Sequence, residues 1–436
     1  MLALLLFVVL LVLLLAGFPV AFTLAGVSIV FGVAIFGVEF FNLLPLRIYG
    51  TMSNYVLIAV PLFVYMGVML EKSGIAERLL NTMALLLGRL RGGLAVSVVV
   101  VGAMLAASTG IVGATVVTMG LLSLPVMLAR RYSPELATGT IASAGTLGQI
   151  IPPSIVLVLL GSVMNISVGQ LFLGAVVPGL LLVGFYIAYV LVKAWLQPSS
   201  APPVSYEELA EFRKKGMGAE IIRAFVLPLL LILAVLGSIF AGIASPTEAA
   251  GVGAFVATLL TAVEKRLNMQ VLKEVMRETT FLTCMVFIIL VGASAFGLVF
   301  RGIEGDDALI EFIKTADLSP YAFLAMVMVL IFIAGFFIDF IEIIFIIIPV
   351  VMPVFITYDM NLLWLAVLVS MNLQTSFLTP PFGFSLFYLK GVAPPEVKTI
   401  HLYKGIIPFI IIQLAVLCLV IFFPGMVTWL PSIAID

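Results

Sequence analysis

Charge is what this 436-residue chain has least of: 10% of its residues are Asp, Glu, Lys or Arg, against roughly 25% in a soluble domain. Apolar residues make up 63% of it. They fall in runs of about 15–25 residues, the length that crosses a bilayer core as a helix. The short alternating segments that build a membrane barrel are not visible. The chain therefore reads as an all-α polytopic membrane protein. A net charge of −1 gives no reason to expect nucleic acid or another polyanion as a partner.

Other scarcities narrow the function. Cys284 and Cys418 both lie in apolar segments without CxxC spacing, so a disulfide is not expected. The lone histidine, His401, near a cytoplasmic helix start, has no companions for a proton relay or a transition-metal site, and reads as a solvated or interfacial residue. No catalytic constellation is present, so no enzyme is expected. With no GxxxxGK[ST] loop, ATP hydrolysis by that route is excluded and the energy must come from an ion gradient or a partner. The first 16 residues are apolar but lack a basic n-region, and the run continues past "AGFPVAF" without a convincing cleavage signal. They are expected to remain as a first helix.

The few basic residues cluster. The groups are Lys72, Arg78, Arg89 and Arg91; Arg130 and Arg131; Lys193, Arg213, Lys214, Lys215 and Arg223; Lys265, Arg266, Lys273 and Arg277; and Lys390, Lys398 and Lys404. The positive-inside rule places all five groups in the cytoplasm. Arg91 and Arg130 are then on one side with the apolar stretch 92–129 between them, centred on "ASTGIVGAT". Two crossings or one re-entrant hairpin both fit that length. The stretch 320–356, centred on "GFFIDFIE", behaves the same way with opposite orientation. Crossing helices are expected near 2–16, 20–37, 54–71, 132–164 (broken), 168–193, 221–241, 246–263, 279–300, 360–390 (broken) and 403–430. That makes ten crossings and two hairpins, with both termini outside. Residues 75–90 and 304–316 read as amphipathic arms, and 196–219 as a polar linker between halves 1–195 and 220–436.

Two proline pairs, Pro152-Pro153 and Pro380-Pro381, each sit inside an apolar segment behind a small-polar run. They are one instance of a repeat. At an offset of about 227–230 residues, Pro19 meets Pro246, Gly67 meets Gly297, Pro125 meets Pro353, Pro152-Pro153 meets Pro380-Pro381, and Pro178 meets Pro408. The charge pattern inverts between the halves, as in the inverted-topology repeats of secondary transporters, and the repeat favours the hairpin reading. A helix broken at membrane depth needs protein, water, ions or substrate to cover its free backbone groups. Proline lacks an N–H and disfavours helix at the residue before it. The second break is thus expected to end one half-helix near Ser376 and start another at Pro380, with Thr379 as N-cap. Ile151 takes the corresponding position in the first break. Free carbonyls at the end of a first half-helix suit a cation; free N–H groups at the start of a second suit a carboxylate.

The hairpin tips bring further helix ends to the same depth. Thr109, Gly110 and Gly113 make the first tight and polar, and Asp339 and Glu342 lie at the second. Asp-x-x-Glu is an acidic capping box, and carboxylates this deep are also candidates for cation attraction. Arg301 in "FRGIEGDD" reads as an anchor paired with Glu304, Asp306 or Asp307, with contact to an anionic substrate or a partner as the alternative. Glu248 in "SPTEAAG" occupies a favourable first-turn position and reads as structural.

The motifs "GFPVAF", "SGIAERLL", "GATVVTMG", "SAGTLGQIIPPSI", "FRGIEGD" and "FLTPPFGFSLFYL" together resemble the large, DctM-like membrane subunit of tripartite ATP-independent periplasmic (TRAP) transporters over nearly the whole chain. The resemblance implies an elevator mechanism in which both hairpins and both broken helices slide against the remaining helices. It implies sodium coupling, a small DctQ-like membrane subunit, a periplasmic substrate-binding protein, and small organic acids as substrates, in the bacterial inner membrane. It puts sodium between each hairpin tip and the broken helix of the same repeat. The implied ligands are Thr109, Ile111, Gly148, Ile151 and Pro153 on one side, and Thr375, Thr379 and Asp339 on the other. Thr379, Ser154, Gly383 and Gly110 are the candidate substrate contacts. The chain departs from the family pattern at Ile111 and Val112, where serines are common, and at Phe340, where a proline is common after the aspartate. A self-sufficient sodium–anion symporter of the same architecture is the competing expectation.

Overall fold

The computed structural model describes residues 2–109, 112–204, 221–381 and 383–434, and every regular element among them is helical. A helix satisfies its own backbone, which is what a chain this apolar must do in lipid. The first half contains α1 (Leu2–Leu15), α2 (Val20–Phe36), α3 (Leu44–Met52), α4 (Ala59–Lys72), α5 (Ile75–Leu86), α6 (Gly93–Thr109), α7 (Val112–Ala129), α8 (Pro134–Thr146), α9 (Ile155–Met164) and α10 (Val168–Leu196). The second contains α11 (Leu227–Phe240), α12 (Pro246–Val263), α13 (Met269–Gly302), α14 (Gly305–Thr315), α15 (Pro320–Ala334), α16 (Phe340–Thr357), α17 (Leu362–Leu378), α18 (Phe384–Val392), α19 (Thr399–Phe422) and α20 (Gly425–Ala434). Among the described residues, seven helical segments are long and apolar enough to cross a membrane, the longest being α13 with 34 residues. The protein has an all-α polytopic membrane fold.

Several elements differ from expectation. The α13 helix begins at Met269, about three turns before the expected crossing at 279, because Asn268 caps it by accepting from Val271 N–H. In the first half the corresponding stretch is instead broken into two 3₁₀ turns, Val38–Leu43 and Tyr55–Ile58, flanking α3. No sequence motif announced α3. The last crossing stops at Phe422, before Pro424, and α20 follows. Residues 205–219 of the expected linker lie outside the described residues; the part before them is docked, with Gly92 N–H donating to Ala201 O and Ser133 N–H to Ser200 O.

Two helices occupy the centre. Every residue of α8 from Leu136 onward and of α17 from Trp364 onward is buried. Their sequences are not uniformly apolar: Thr138, Thr140, Ser143 and Thr146 lie on α8, and Ser370, Asn372, Gln374, Thr375 and Ser376 on α17. By contrast Phe22 on α2 and Phe255 on α12 are 73% and 70% exposed, as lipid-facing residues are. The α8 helix packs on α6, α7 and α19, whereas α17 packs on α15, α10 and α19. The helix pair α6–α7 packs on α4, α5 and α10, and it also bridges α8 of its own half and α18 of the other. The pair α15–α16 mirrors this with α17 of its own half and α9 of the other.

Two hydrogen bonds join residues separated by the repeat offset. Tyr186 O–H donates to Gln413 Oε1 at 2.8 Å over 227 positions, and Gln374 Nε2 lies 3.4 Å from Thr146 Oγ1 over 228.

Candidate functional site

Each central helix ends in an irregular break. In the first, α8 gives way to a 3₁₀ turn, Leu147–Gln149, and helix resumes at Ile155 with Ser154 in the N-cap position. In the second, α17 ends at Leu378 with Thr379 as its C-cap in extended backbone, and α18 starts at Phe384 after Gly383. Thr379 is therefore not an N-cap, Pro380 is not the first helical residue, and the first half-helix runs two residues past Ser376. Ile151 likewise is not a cap. The reason is the proline pair itself. A residue before proline avoids the helical region, so the first proline of each pair cannot open a helix, and the second half-helix waits for Ser154 or Gly383. Both Pro-Pro bonds are cis.

The breaks leave carbonyls without helical partners, and hydroxyls reach back to them. Ser154 Oγ donates to Gln149 O at 2.9 Å, and Ser385 Oγ to Phe377 O at 2.9 Å. These are equivalent bonds: a serine at or next to the start of the second half-helix spans the break to the last turn of the first. Gln149 O takes a second hydroxyl, Ser370 Oγ of α17, at 2.6 Å, which ties the first break to α17. Thr375 Oγ1 donates to Met371 O at 2.8 Å and Thr379 Oγ1 to Thr375 O at 2.7 Å. Each threonine oxygen keeps lone pairs for a cation or a donor.

Of the expected cation ligands in the first half, Gly148 and Pro153 are buried at the break and Ile151 is half-buried. Gly110 and Ile111 lie outside the described residues; Thr109 closes α6, and its side chain is likewise outside. Residues just beyond the first tip pack on the opposite half: a side-chain carbon at Gly113 would stand 3.1 Å from the Tyr388 ring of α18. At the second tip, a side-chain carbon at Gly335 would collide with Ser376 Oγ on α17. The Phe340 and Phe377 rings lie 6.3 Å apart in the same contact. Each hairpin thus packs on the first half-helix of its own half and on the second half-helix of the other.

Asp339 is the N-cap of α16, its Oδ1 accepting from Phe340 N–H at 2.7 Å. It is half-buried. Glu342, one turn on, is buried, and its Oε2 has no hydrogen-bond partner among the described residues. A helix N-terminus favours both carboxylates, yet a buried carboxylate oxygen with nothing to accept from is a costly arrangement that a cation or a proton would relieve.

Sequence reasoning missed Gln149 and Gln374. Both are fully buried; neither amide atom of the Gln149 side chain nor Gln374 Oε1 has a partner among the described residues. The signal was available, because a polar side chain within an apolar segment is a functional candidate by default. Ser370 and Ser385 were missed too. Residues read as structural are placed so: Glu248 forms a capping box with Ser245. His401 Nδ1 accepts from Lys398 N–H. Arg301 Nε lies 3.7 Å from Asp306 Oδ2. Cys284 and Cys418 are free and exposed.

The donor set at the breaks is carbonyl, hydroxyl and carboxylate oxygen, which fits a hard cation. The fold resembles two solved transporters. The Alcanivorax borkumensis YdaH transporter superposes with a TM-score of 0.64 over 93% of this chain and 96% of its own, at 14% identity. Neisseria gonorrhoeae MtrF gives 0.56 over 90% and 85%, at 13% identity. Sequence relatives extend along nearly the whole chain. The C4-dicarboxylate TRAP transporter large permease protein DctM of Vibrio cholerae is 30% identical, covering 98% of this chain and 97% of its own. Its Pseudomonas aeruginosa namesake is 31% identical over 93% of each. The sialic acid TRAP transporter large permease protein SiaM of Vibrio cholerae is 29% identical over 97% and 96%. The family model of the tripartite ATP-independent periplasmic transporter DctM component matches residues 7–426, and the chain belongs to that family of transporter permease subunits.

Proposed function

We propose that the chain is the large permease subunit of a sodium-driven, binding-protein-dependent importer of small organic acids in the bacterial inner membrane. A small DctQ-like membrane subunit and a periplasmic binding protein complete the system. Relatives named for C4-dicarboxylates and sialic acid support the carboxylate class, and an ectoine relative widens it to other small solutes. The observation that carries the reading is the reciprocal packing of the hairpins. With α6–α7 and α15–α16 each clamped to one half-helix of both halves, the hairpins and α8, α9, α17 and α18 form one body that can slide as a unit. The remaining helices form the scaffold.

Several features support the finer assignments. The hydrogen bonds at the repeat offset, Tyr186 to Gln413 and Gln374 to Thr146, are what a pseudo-two-fold axis between 1–195 and 220–436 produces, since a residue that touches its own equivalent lies on the axis. Sodium is assigned to the two breaks. One site uses carbonyls near Gly148, Ile151 and Pro153 together with the Thr109–Ile111 tip; the other uses Thr375 and Thr379 with Asp339 nearby. Substrate carboxylate is assigned between the breaks near Ser154, Thr379 and Gly383, with Gly110 at the first tip. Both termini are assigned to the periplasm.

The test is uptake of labelled succinate and related acids into proteoliposomes holding the permease, its small subunit and its binding protein, under an imposed sodium gradient. Uptake should require sodium and the binding protein. Uptake without sodium would end the coupling assignment, and uptake by the permease alone would make it a self-sufficient symporter.

A further inference from the structure

A cavity of about 340 Å³ opens at the end of α13 away from Lys273 and Arg277, and so on the outer side by the charge pattern. It is separate from the breaks. The scaffold contributes Arg47 and Thr51 from α3 and Ser294 and Arg301 from α13, while Ser162 from the end of α9 and Phe345 from α16 face them. Its size falls at the lower end of small-ligand sites, and its walls mix aromatic surface with a few polar groups, as such sites do.

The charge is unbalanced. Arg47 and Arg301 both line the cavity, whereas Asp306 is the one acidic residue that does so among the described residues. Asp306 stands 3.7 Å from Arg301 Nε, and Arg47 has no ion pair among the described residues. Burial, then the neighbouring Arg301 charge, lowers the proton affinity of Arg47. Two exposed guanidinium groups that repel one another, with one carboxylate beside Arg301, leave a positive charge for a ligand to neutralise. Planar guanidinium forks match carboxylate oxygens. Neutral donors stand beside them: Thr51 Oγ1 and Ser294 Oγ are 3.2 Å apart, and Asn54 Nδ2 donates to Ser162 Oγ at 3.0 Å. The latter bond joins the cavity rim to the end of α9, on the body that carries the breaks.

We propose that this cavity is an outer receiving site for a small carboxylate anion, clamped between Arg47 and Arg301. The α3 insertion, which the second half lacks, supplies half of that clamp. The site's role as a first stop for substrate rests on the transport reading above; its ability to bind does not.

The experiment is equilibrium binding of radiolabelled acetate, pyruvate, succinate and gluconate to the purified full chain in nanodiscs at low salt. At least one of these acids should bind the wild type. Arg301→Gln and Arg47→Gln should each weaken that binding about tenfold or more, the scale of one charge-assisted hydrogen bond. Arg47→Lys should retain part of it. Asp306→Asn should strengthen it, because the competing carboxylate is gone; a purely structural role for Asp306 predicts no gain. Absence of binding by all four acids overturns the proposal, as does wild-type affinity in both glutamine variants. Sodium-dependent thermal stabilisation of the same samples reports the cation sites independently. Its loss in the wild type would count against the sodium reading while leaving the carboxylate result to judge the cavity.

Discussion

Gly335 is the position where the hairpin-to-break contact is most exposed to a minimal perturbation. Replacing it with alanine adds one methyl group. That methyl would collide with Ser376 Oγ, stand 2.7 Å from Ser376 Cβ, and stand 3.3 Å from Ile331 O. Overpacking of this kind costs about 1–3 kcal/mol, and it falls at the contact that seats the second tip on the end of α17. If the tip must seat fully to complete a cation site, the cost appears in sodium affinity, at most about five- to 150-fold. The assay is thermal unfolding of the purified protein across a sodium titration, where a site at 100 times its Kd adds about 2.7 kcal/mol. The clash also fixes how rescue should behave. Ser376→Ala removes Oγ but leaves Cβ, so the double variant should recover in part. Ser376→Gly removes both contacts and should recover more, less the cost of about 1 kcal/mol for a glycine in a helix. Simple additivity in that cycle, or a Gly335→Ala protein with an unchanged sodium response, would refute the contact as a determinant of the site.

Other perturbations separate the roles at the breaks. Ser385→Ala should cost about 1 kcal/mol of stability or more, because it removes the side-chain donor to Phe377 O; Ser154→Ala should cost less, since Ser370 still donates to Gln149 O, and the reverse order in chemical unfolding would be a failure. Thr379→Val keeps the shape but removes the oxygen, and is expected to weaken sodium dependence of uptake about tenfold while Thr379→Ser keeps it; an unchanged cation response in the valine protein would falsify the ligand assignment. Single cysteines at Arg91 and Arg131, in a background without Cys284 and Cys418, should both react with an impermeant thiol reagent from the cytoplasmic side, and labelling from opposite sides would replace the first hairpin with two crossings.

What the sequence made legible follows the range of the physics involved. The broken helices were readable because proline acts on its own peptide and its neighbour. The place where each second half-helix begins was not, because Thr379 looks like an N-cap until the second proline is allowed to exclude the first from the helix. Asp339 was readable as the cap, but the expected box with Glu342 does not form, because Asp339 Oδ1 accepts from the adjacent Phe340 N–H instead of Glu342 N–H. The unpartnered Oε2 of Glu342 depends on what surrounds it in three dimensions. The crossing of each hairpin to the other half's second half-helix is purely tertiary, and no local sequence pattern marks it. Gln149 and Gln374 were visible as polar residues in apolar runs, but the proline pair beside Gln149 and the threonines beside Gln374 drew the chemistry elsewhere.

The two breaks are equivalent in backbone but not in how their carbonyls are satisfied, and that asymmetry bears on their roles. Gln149 O already accepts from Ser154 and Ser370, one hydroxyl from each half. Among the described residues, Phe377 O accepts a hydroxyl from Ser385 alone. A carbonyl oxygen has two lone pairs, so a cation approaching the first break must displace a hydroxyl from Gln149 O or use other oxygens, whereas one at the second finds acceptor capacity at Phe377 and at the Thr375 and Thr379 hydroxyls. The bond from Ser370 to Gln149 also crosses between the halves, so any ligand that competes for Gln149 O loosens the link between α17 and the first break. In this arrangement the Ser370 hydroxyl and the Gln374–Thr146 bond together join the first break to α17, and Ser370→Ala should weaken that link more than it destabilises either break.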